Sequence, residues 1–230
     1  MLLILLILVI ILFLKIIINK NMIKENMNTR EPKFIHIPKN AGTSIEELGI
    51  KYNLKWGKYD YSNLDLRENL SEIPCCYWHN YLFKSSDNHD YFCVVRNPYD
   101  RIKSEYYYRK KKNEIFGLNL NDWINKFLKN ISNVNVYDCH LIPQYNYIFD
   151  KEGNKKIKYI LYLDNNLNKN LKEILTEYGI TIDINDFEKR NESQNQNQNQ
   201  KEKETLSKKS IELINEYYKK DFEHLDYEML

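Results

Sequence analysis

Residues Phe34 to Leu48 read FIHIPKNAGTSIEEL, a β-rich run that passes through a turn holding proline, lysine and glycine into helix formers. Lys33–Ile37 has the composition of a strand, and Ser44–Tyr52 keeps helical spacing through Ile45, Leu48 and Tyr52. The order recurs further on. YFCVV (Tyr91–Val95) is an apolar run bounded by polar residues, Pro98 sits where a helix can begin, and Tyr99–Lys112 continues in helix formers. IPCCYWH (Ile73–His79) and KYILYL (Lys158–Leu163) read as further buried strands, while Leu120–Leu128, Leu141–Phe149, Leu167–Tyr178 and an amphipathic Leu206–Phe222 read as helices. Strands alternating with helices predict an α/β fold, with a central parallel sheet flanked by helices.

A strand that turns directly into a helix leaves the helix's first amides without acceptors, with the positive end of the dipole facing outward. That end suits a phosphate or sulfate oxyanion. Gly42 lets the backbone approach closely, Thr43 and Ser44 add hydroxyls, and Lys39 adds a positive charge beside Asn40 and Ala41. The nucleotide-hydrolysing loop places its lysine after a second glycine. Here the lysine precedes the glycine, so that motif is absent.

The second strand-to-helix passage, YFCVVRNPYDRIKSEYYYR, carries Arg96 at the strand's end and Ser104 on the second turn of the helix. A guanidinium and a hydroxyl there can share one anion. Two anion sites at the carboxyl ends of two strands predict a ligand with two phosphate-like groups.

The rest of the chain sets limits. With 34 basic and 32 acidic side chains the formal charge is +2, so net charge does not make the molecule a nucleic-acid binder and any basic site must be local. Met1–Asn19 is apolar apart from Lys15 and Asn19, long enough for a single transmembrane anchor, since about 20 residues cross a bilayer core. Residues 20–32 read as a tether and 33–230 as the working domain, with a polar low-complexity loop over Glu192–Glu204. Lys15, Lys20, Lys24 and Arg30 lie at the C-terminal side of the apolar run, a distribution that favours a cytosolic domain. Cys75, Cys76, Cys93 and Cys139 have no metal-ligand spacing and read as buried free thiols; no other ligand cluster for a metal is evident. Sequons at Asn69, Asn130 and Asn191 would permit glycosylation of a lumenal domain.

On these residues the chain resembles the sulfotransferases that use 3′-phosphoadenosine 5′-phosphosulfate, and among them the membrane-anchored carbohydrate enzymes such as the heparan sulfate 2-O-sulfotransferases. IPKNAGTS looks like their 5′-phosphosulfate loop and VVRNPYDRIKSEYYY like their 3′-phosphate motif. YWHNYLF, HLIPQYNYI, KYILYLDNNLNKNLKEIL, RNES and ELINEYYKKDFEHLDY extend the likeness over nearly everything after residue 32. The resemblance implies a P-loop-NTPase-like three-layer fold. It assigns the 5′-phosphosulfate to Lys39, Asn40, Ala41, Gly42, Thr43 and Ser44, the 3′-phosphate to Arg96 and Ser104, and the catalytic roles to Lys39 and to His79 as base. Relatives often carry a second histidine or a glycine beside that base, where this chain has Asn80. The resemblance further implies a carbohydrate acceptor, no metal, and a type II membrane protein with a lumenal, Golgi-like domain, opposite to the orientation the lysines favour. His36 reads as structural and His140 as a weaker candidate for the site. Two alternatives stand beside this one: a membrane-tethered nucleotide- or glycan-binding protein without catalysis, and a nucleotide-dependent phosphotransferase, for which the glycine-to-lysine spacing is missing.

Overall fold

The computed structural model describes residues 32–54, 56, 89–129, 139–150, 152–183, 185–187 and 204–230. The predicted anchor, the tether as far as Glu31, the Ile73–His79 strand with its candidate base, and the low-complexity run as far as Lys203 lie outside them. Three strands, β1 (Lys33–Ile35), β2 (Tyr91–Val95) and β3 (Tyr159–Tyr162), pair in parallel in that order. Their register sets Phe34 beside Phe92 and Val94 beside Leu161. As the middle strand of the three, β2 is covered on both faces, which is why YFCVV is apolar without alternation.

Alternate strand residues feed two separate cores. Phe34, Phe92, Val94 and Leu161 pack with Ile45 and Leu48 of α1 (Gly42–Lys51) and with Leu167, Leu171 and Leu175. Those three leucines belong to the later helix Leu167–Glu177. Trp56 closes this side, its ring 5.1 Å from that of Phe92 and packed against the backbone at Gly49. On the opposite face Ile35, Cys93 and Val95 pack with Cys139, Ile142, Tyr147, Ile148 and Leu225. Helix, sheet and covering segments therefore form three layers, as expected.

The helices after α1 are, in chain order, α2 (Pro98–Lys111), α3 (Leu120–Leu128), the single turn α4 (Tyr145–Ile148), α5 (Leu167–Glu177), α6 (Lys208–Tyr217) and α7 (Lys219–His224). Of these, α2, α3, α6 and α7 form a third core beside the sheet. Tyr99, Ile102 and Tyr106 of α2 meet Trp123 and Ile124 of α3 and Ile214 of α6. Pro98 opens α2 as predicted, with Asn97 as its cap, accepting the Tyr99 N–H at 2.9 Å. Glu204, the last residue of the polar run, accepts the Leu120 amide at 2.9 Å and so ties that end of the loop to the start of α3.

Three expectations change. The helix predicted over Leu141–Phe149 shrinks to α4, because Cys139 is left-handed (φ 63°), Pro143 supplies no amide, and the Tyr145 N–H is taken by Asp221 at 2.8 Å. The closing helix divides at Tyr218, whose buried hydroxyl donates to the Leu141 carbonyl at 3.0 Å. The cysteines are not uniformly free thiols. Cys93 is free and buried, but Cys139 is disulfide-bonded, to a partner outside the described residues.

Candidate active site

Past β1 the chain crosses the end of the sheet through His36 to Ala41 before α1 begins. Lys39 (φ 70°) and Ala41 (φ 60°) are left-handed, a backbone that costs a non-glycine residue about 1–2 kcal/mol. Interleaving left-handed residues turns successive amides toward one concave side, the arrangement that binds anions. The first i→i−4 bond of the helix runs from Ile45 N–H to Ala41 C=O at 3.2 Å, so the amides of Gly42, Thr43 and Ser44 come before it. No acidic residue occupies the first turn to cancel the dipole. Thr43 is exposed and Ser44 buried.

Gly42 is required by its neighbour. A Cβ there would lie 2.2 Å from His36 Nε2, so only glycine lets the imidazole pack against the start of α1. On its other side the ring is held by Glu46 Oε1, 2.5 Å from Nδ1. His36 thus braces the loop from within the protein, the structural role expected of it.

The loop is also tied to the second motif. Asn40, 1% exposed, donates through Nδ2 to the Val94 carbonyl (2.8 Å) and to Gln144 Oε1 (2.7 Å). Arg96 Nη1 reaches the Lys39 carbonyl at 3.4 Å. Buried Arg101 donates to the Pro38 carbonyl (3.1 Å) and to the His140 carbonyl (2.9 Å), which pins the loop to the 139–142 turn. The two anion motifs, separate in sequence, are one structural unit at the carboxyl ends of β1 and β2.

Lys39 stands in a cationic neighbourhood. Its ammonium lies 4.0 Å from the centre of the Tyr108 ring, whose surroundings also include Lys112 and Arg109. Burial, with the charges of Arg96, Arg109 and Arg101, outweighs the attraction of Glu105 and brings the Lys39 ammonium down to about 8. Glu105, 1% exposed on α2, receives Arg109 Nε at 2.5 Å and pairs with His140 Nδ1 at 2.8 Å. Burial alone would raise its carboxyl. The bond from His140 and the charges of His140, Arg109 and Lys39 prevail and hold it at about 2. Burial lowers the Arg96 guanidinium from its usual value, partly offset by Asp100, although an arginine stays charged. Around Lys39 the charges of Arg96, Arg109 and Arg101 stand beside that of Glu105, a cationic setting suited to an anionic ligand.

The structure therefore brings Lys39, Asn40, Ala41, Gly42, Thr43, Ser44 and Arg96 together. Ser104 is partly buried on the second turn of α2, the helix that begins just after Arg96. His79 lies outside the described residues. Sequence reasoning missed Arg101, Glu105, Tyr108 and Gln144. The first two, with Arg109, recur at i, i+4 and i+8 with alternating sign, a stripe normally read as a solvated face. Here that stripe is buried against the loop.

An α/β sheet with one open helix N-terminus and a cluster of cations at its strand ends has the chemistry that suits a phosphate- or sulfate-bearing ligand. The Sulfotransferase family profile matches residues 33–228, and the protein belongs to that family, a family of sulfuryl-group transferases. No curated protein and no solved structure shows a match.

Proposed function

We propose that this protein transfers the sulfuryl group of 3′-phosphoadenosine 5′-phosphosulfate to a hydroxyl of a carbohydrate. The observation that supports the donor is the joining of the two anion motifs at adjacent strand ends, with Arg96 bonded to the Lys39 carbonyl and the first amides of α1 beside them. Arg96 and Ser104 hold the 3′-phosphate, and the Lys39–Ser44 loop holds the 5′-phosphosulfate. The acceptor oxygen forms its bond to sulfur in line as the bond from sulfur to the bridging phosphate oxygen breaks. His79 takes the hydroxyl proton, and the electron pair leaves on the phosphate of adenosine 3′,5′-bisphosphate. Lys39 and the loop amides stabilise the charge that grows on that leaving group.

The carbohydrate acceptor and the membrane setting rest on the sequence resemblance and on the apolar run Met1–Asn19. In this reading the chain is a single-pass membrane protein with its domain in the secretory lumen, not a nucleic-acid binder. The disulfide at Cys139 supports an oxidising compartment. Among the described residues no helix is long and apolar enough to cross a membrane, so an anchor can come only from outside them.

Calorimetric titration with adenosine 3′,5′-bisphosphate, with and without magnesium and beside ATP, tests the donor. Binding should be independent of magnesium and weaken about 10- to 100-fold in Arg96→Ala, as expected for losing charge-assisted hydrogen bonds. A preference for ATP with magnesium would point instead to a phosphotransferase. Given donor binding, transfer of labelled sulfate to a glycan panel should be nearly abolished in Lys39→Ala and in His79→Ala; donor binding without any transfer would leave a binding protein.

A further inference from the structure

Gln144 is fully buried between the two anion motifs, and every hydrogen-bonding position of its side-chain amide is used. Its Oε1 accepts from Asn40 Nδ2 at 2.7 Å and from the Arg96 main-chain N–H at 2.9 Å. Its Nε2 donates to the Arg96 carbonyl at 2.8 Å and to Asp221 Oδ2 at 3.3 Å. Reversing the amide would set donors against donors at Asn40 and Arg96, so a single orientation satisfies the site. The residue is itself fixed from outside the sheet. Asp221 Oδ2 accepts the Gln144 main-chain N–H at 3.0 Å and Oδ1 accepts the Tyr145 N–H at 2.8 Å. This is why the closing helix divides at Tyr218: the break begins the turn that carries Asp221 onto the start of α4.

We infer that Gln144 is a positioning residue that fixes the separation of the two anion-binding strand ends, and thereby selects nucleotides carrying both a 5′ and a 3′ phosphate. The inference rests on the donor assignment above. Asn40 belongs to the loop assigned to the 5′ group and Arg96 to the 3′ group, and one rigid amide contacts both. With the spacing fixed, binding one phosphate places the other at its site, so the second contact forms without a further search. Without the Gln144 bonds the loop keeps only its ties from Arg96 to Lys39, from Asn40 to Val94 and from Arg101 to Pro38, so the spacing loosens: each site still binds its own phosphate, but the advantage of carrying both shrinks.

The experiment compares affinities of the full-length protein for adenosine 3′,5′-bisphosphate and for adenosine 5′-monophosphate, in wild type and in Gln144→Met. Methionine fills a similar volume but makes none of the four bonds. The preference for the bisphosphate should fall about tenfold or more, while affinity for the monophosphate changes less than about threefold, because Asn40 keeps its bond to Val94. If Gln144→Met does not fold, Gln144→Asn keeps the amide but is one methylene too short to meet both partners, and the same ratio is read. Starting from Asn40→Ala, which has already cut the link, Gln144→Met should lower the preference much less. An unchanged preference in a folded variant, or equal weakening of both nucleotides, overturns the inference and leaves the donor assignment standing. A wild type that binds neither nucleotide removes the donor assignment and this inference with it.

Discussion

Under the donor assignment proposed above, Lys39 is expected to make binding depend on pH in a range where most lysines do not titrate. With its ammonium near 8 in the free protein, about nine-tenths of Lys39 is charged at pH 7 and about one-tenth at pH 9. A bound anion favours the charged form, so if only protonated Lys39 binds well, affinity for adenosine 3′,5′-bisphosphate falls about tenfold over that interval, or about 1.4 kcal/mol. The ligand's phosphates are already ionised above pH 7, since their second ionisation lies near 6, and do not contribute the slope. At pH 8 binding should draw about half a proton from solution. Titration calorimetry in two buffers of different ionisation enthalpy measures both quantities. In Lys39→Arg the guanidinium stays charged throughout, so the slope and the proton uptake should vanish whatever the absolute affinity. In Glu105→Gln the break should move below pH 8, because Glu105 is the charge that raises Lys39 against its burial. Affinity that is flat from pH 7 to pH 9, or a slope that survives in Lys39→Arg, would refute the reasoning.

Two further outcomes follow from the packing around the loop. Gly42→Ala places a Cβ within 2.2 Å of His36 Nε2, so the imidazole must leave Glu46 or the loop must shift; a loss of about 1–3 kcal/mol in urea denaturation is expected, together with weaker bisphosphate binding. An unchanged midpoint would mean the ring has room to move. Glu105 has its folded carboxyl depressed from 4.5 to about 2, so its contribution is complete above pH 4.5 and is lost as pH falls toward 2. Between pH 6 and pH 3 the wild type should lose about 2 kcal/mol more stability than Glu105→Gln, and equal losses in both would remove Glu105 from the acid response.

Much of the framework was readable in the chain before any coordinates. The apolar runs FI (Phe34–Ile35), YFCVV and YILY have no alternation because the strands lie between two packed layers, and the helices after them declare themselves by spacing and by Pro98. The loop from Lys39 to Ser44 was legible because its features are local: backbone amides, one glycine and one cation, all within a single turn. Arg96 was legible for the same reason, as a charge at the end of a buried strand.

What joins those pieces is not local. Nothing in RIKSEYYYR distinguishes a solvated charged face from one buried against the loop that follows β1; only packing α2 beside the β1 turn decides that Arg101 holds Pro38 and that Glu105 lies near Lys39. The division of the closing helix at Tyr218 has no breaker residue to announce it. It follows from the fit of Tyr218 against Leu141 and of Asp221 against the amides of Gln144 and Tyr145. Gln144, one amide among many in an Asn- and Gln-rich chain, acquires its role from partners 104, 48 and 77 residues away. The sequence by itself determined which groups could meet an anion, because strand ends, helix starts and charges are written residue by residue. Their spacing and their charge state were decided only in the tertiary structure, since both depend on burial and on neighbours far apart along the chain.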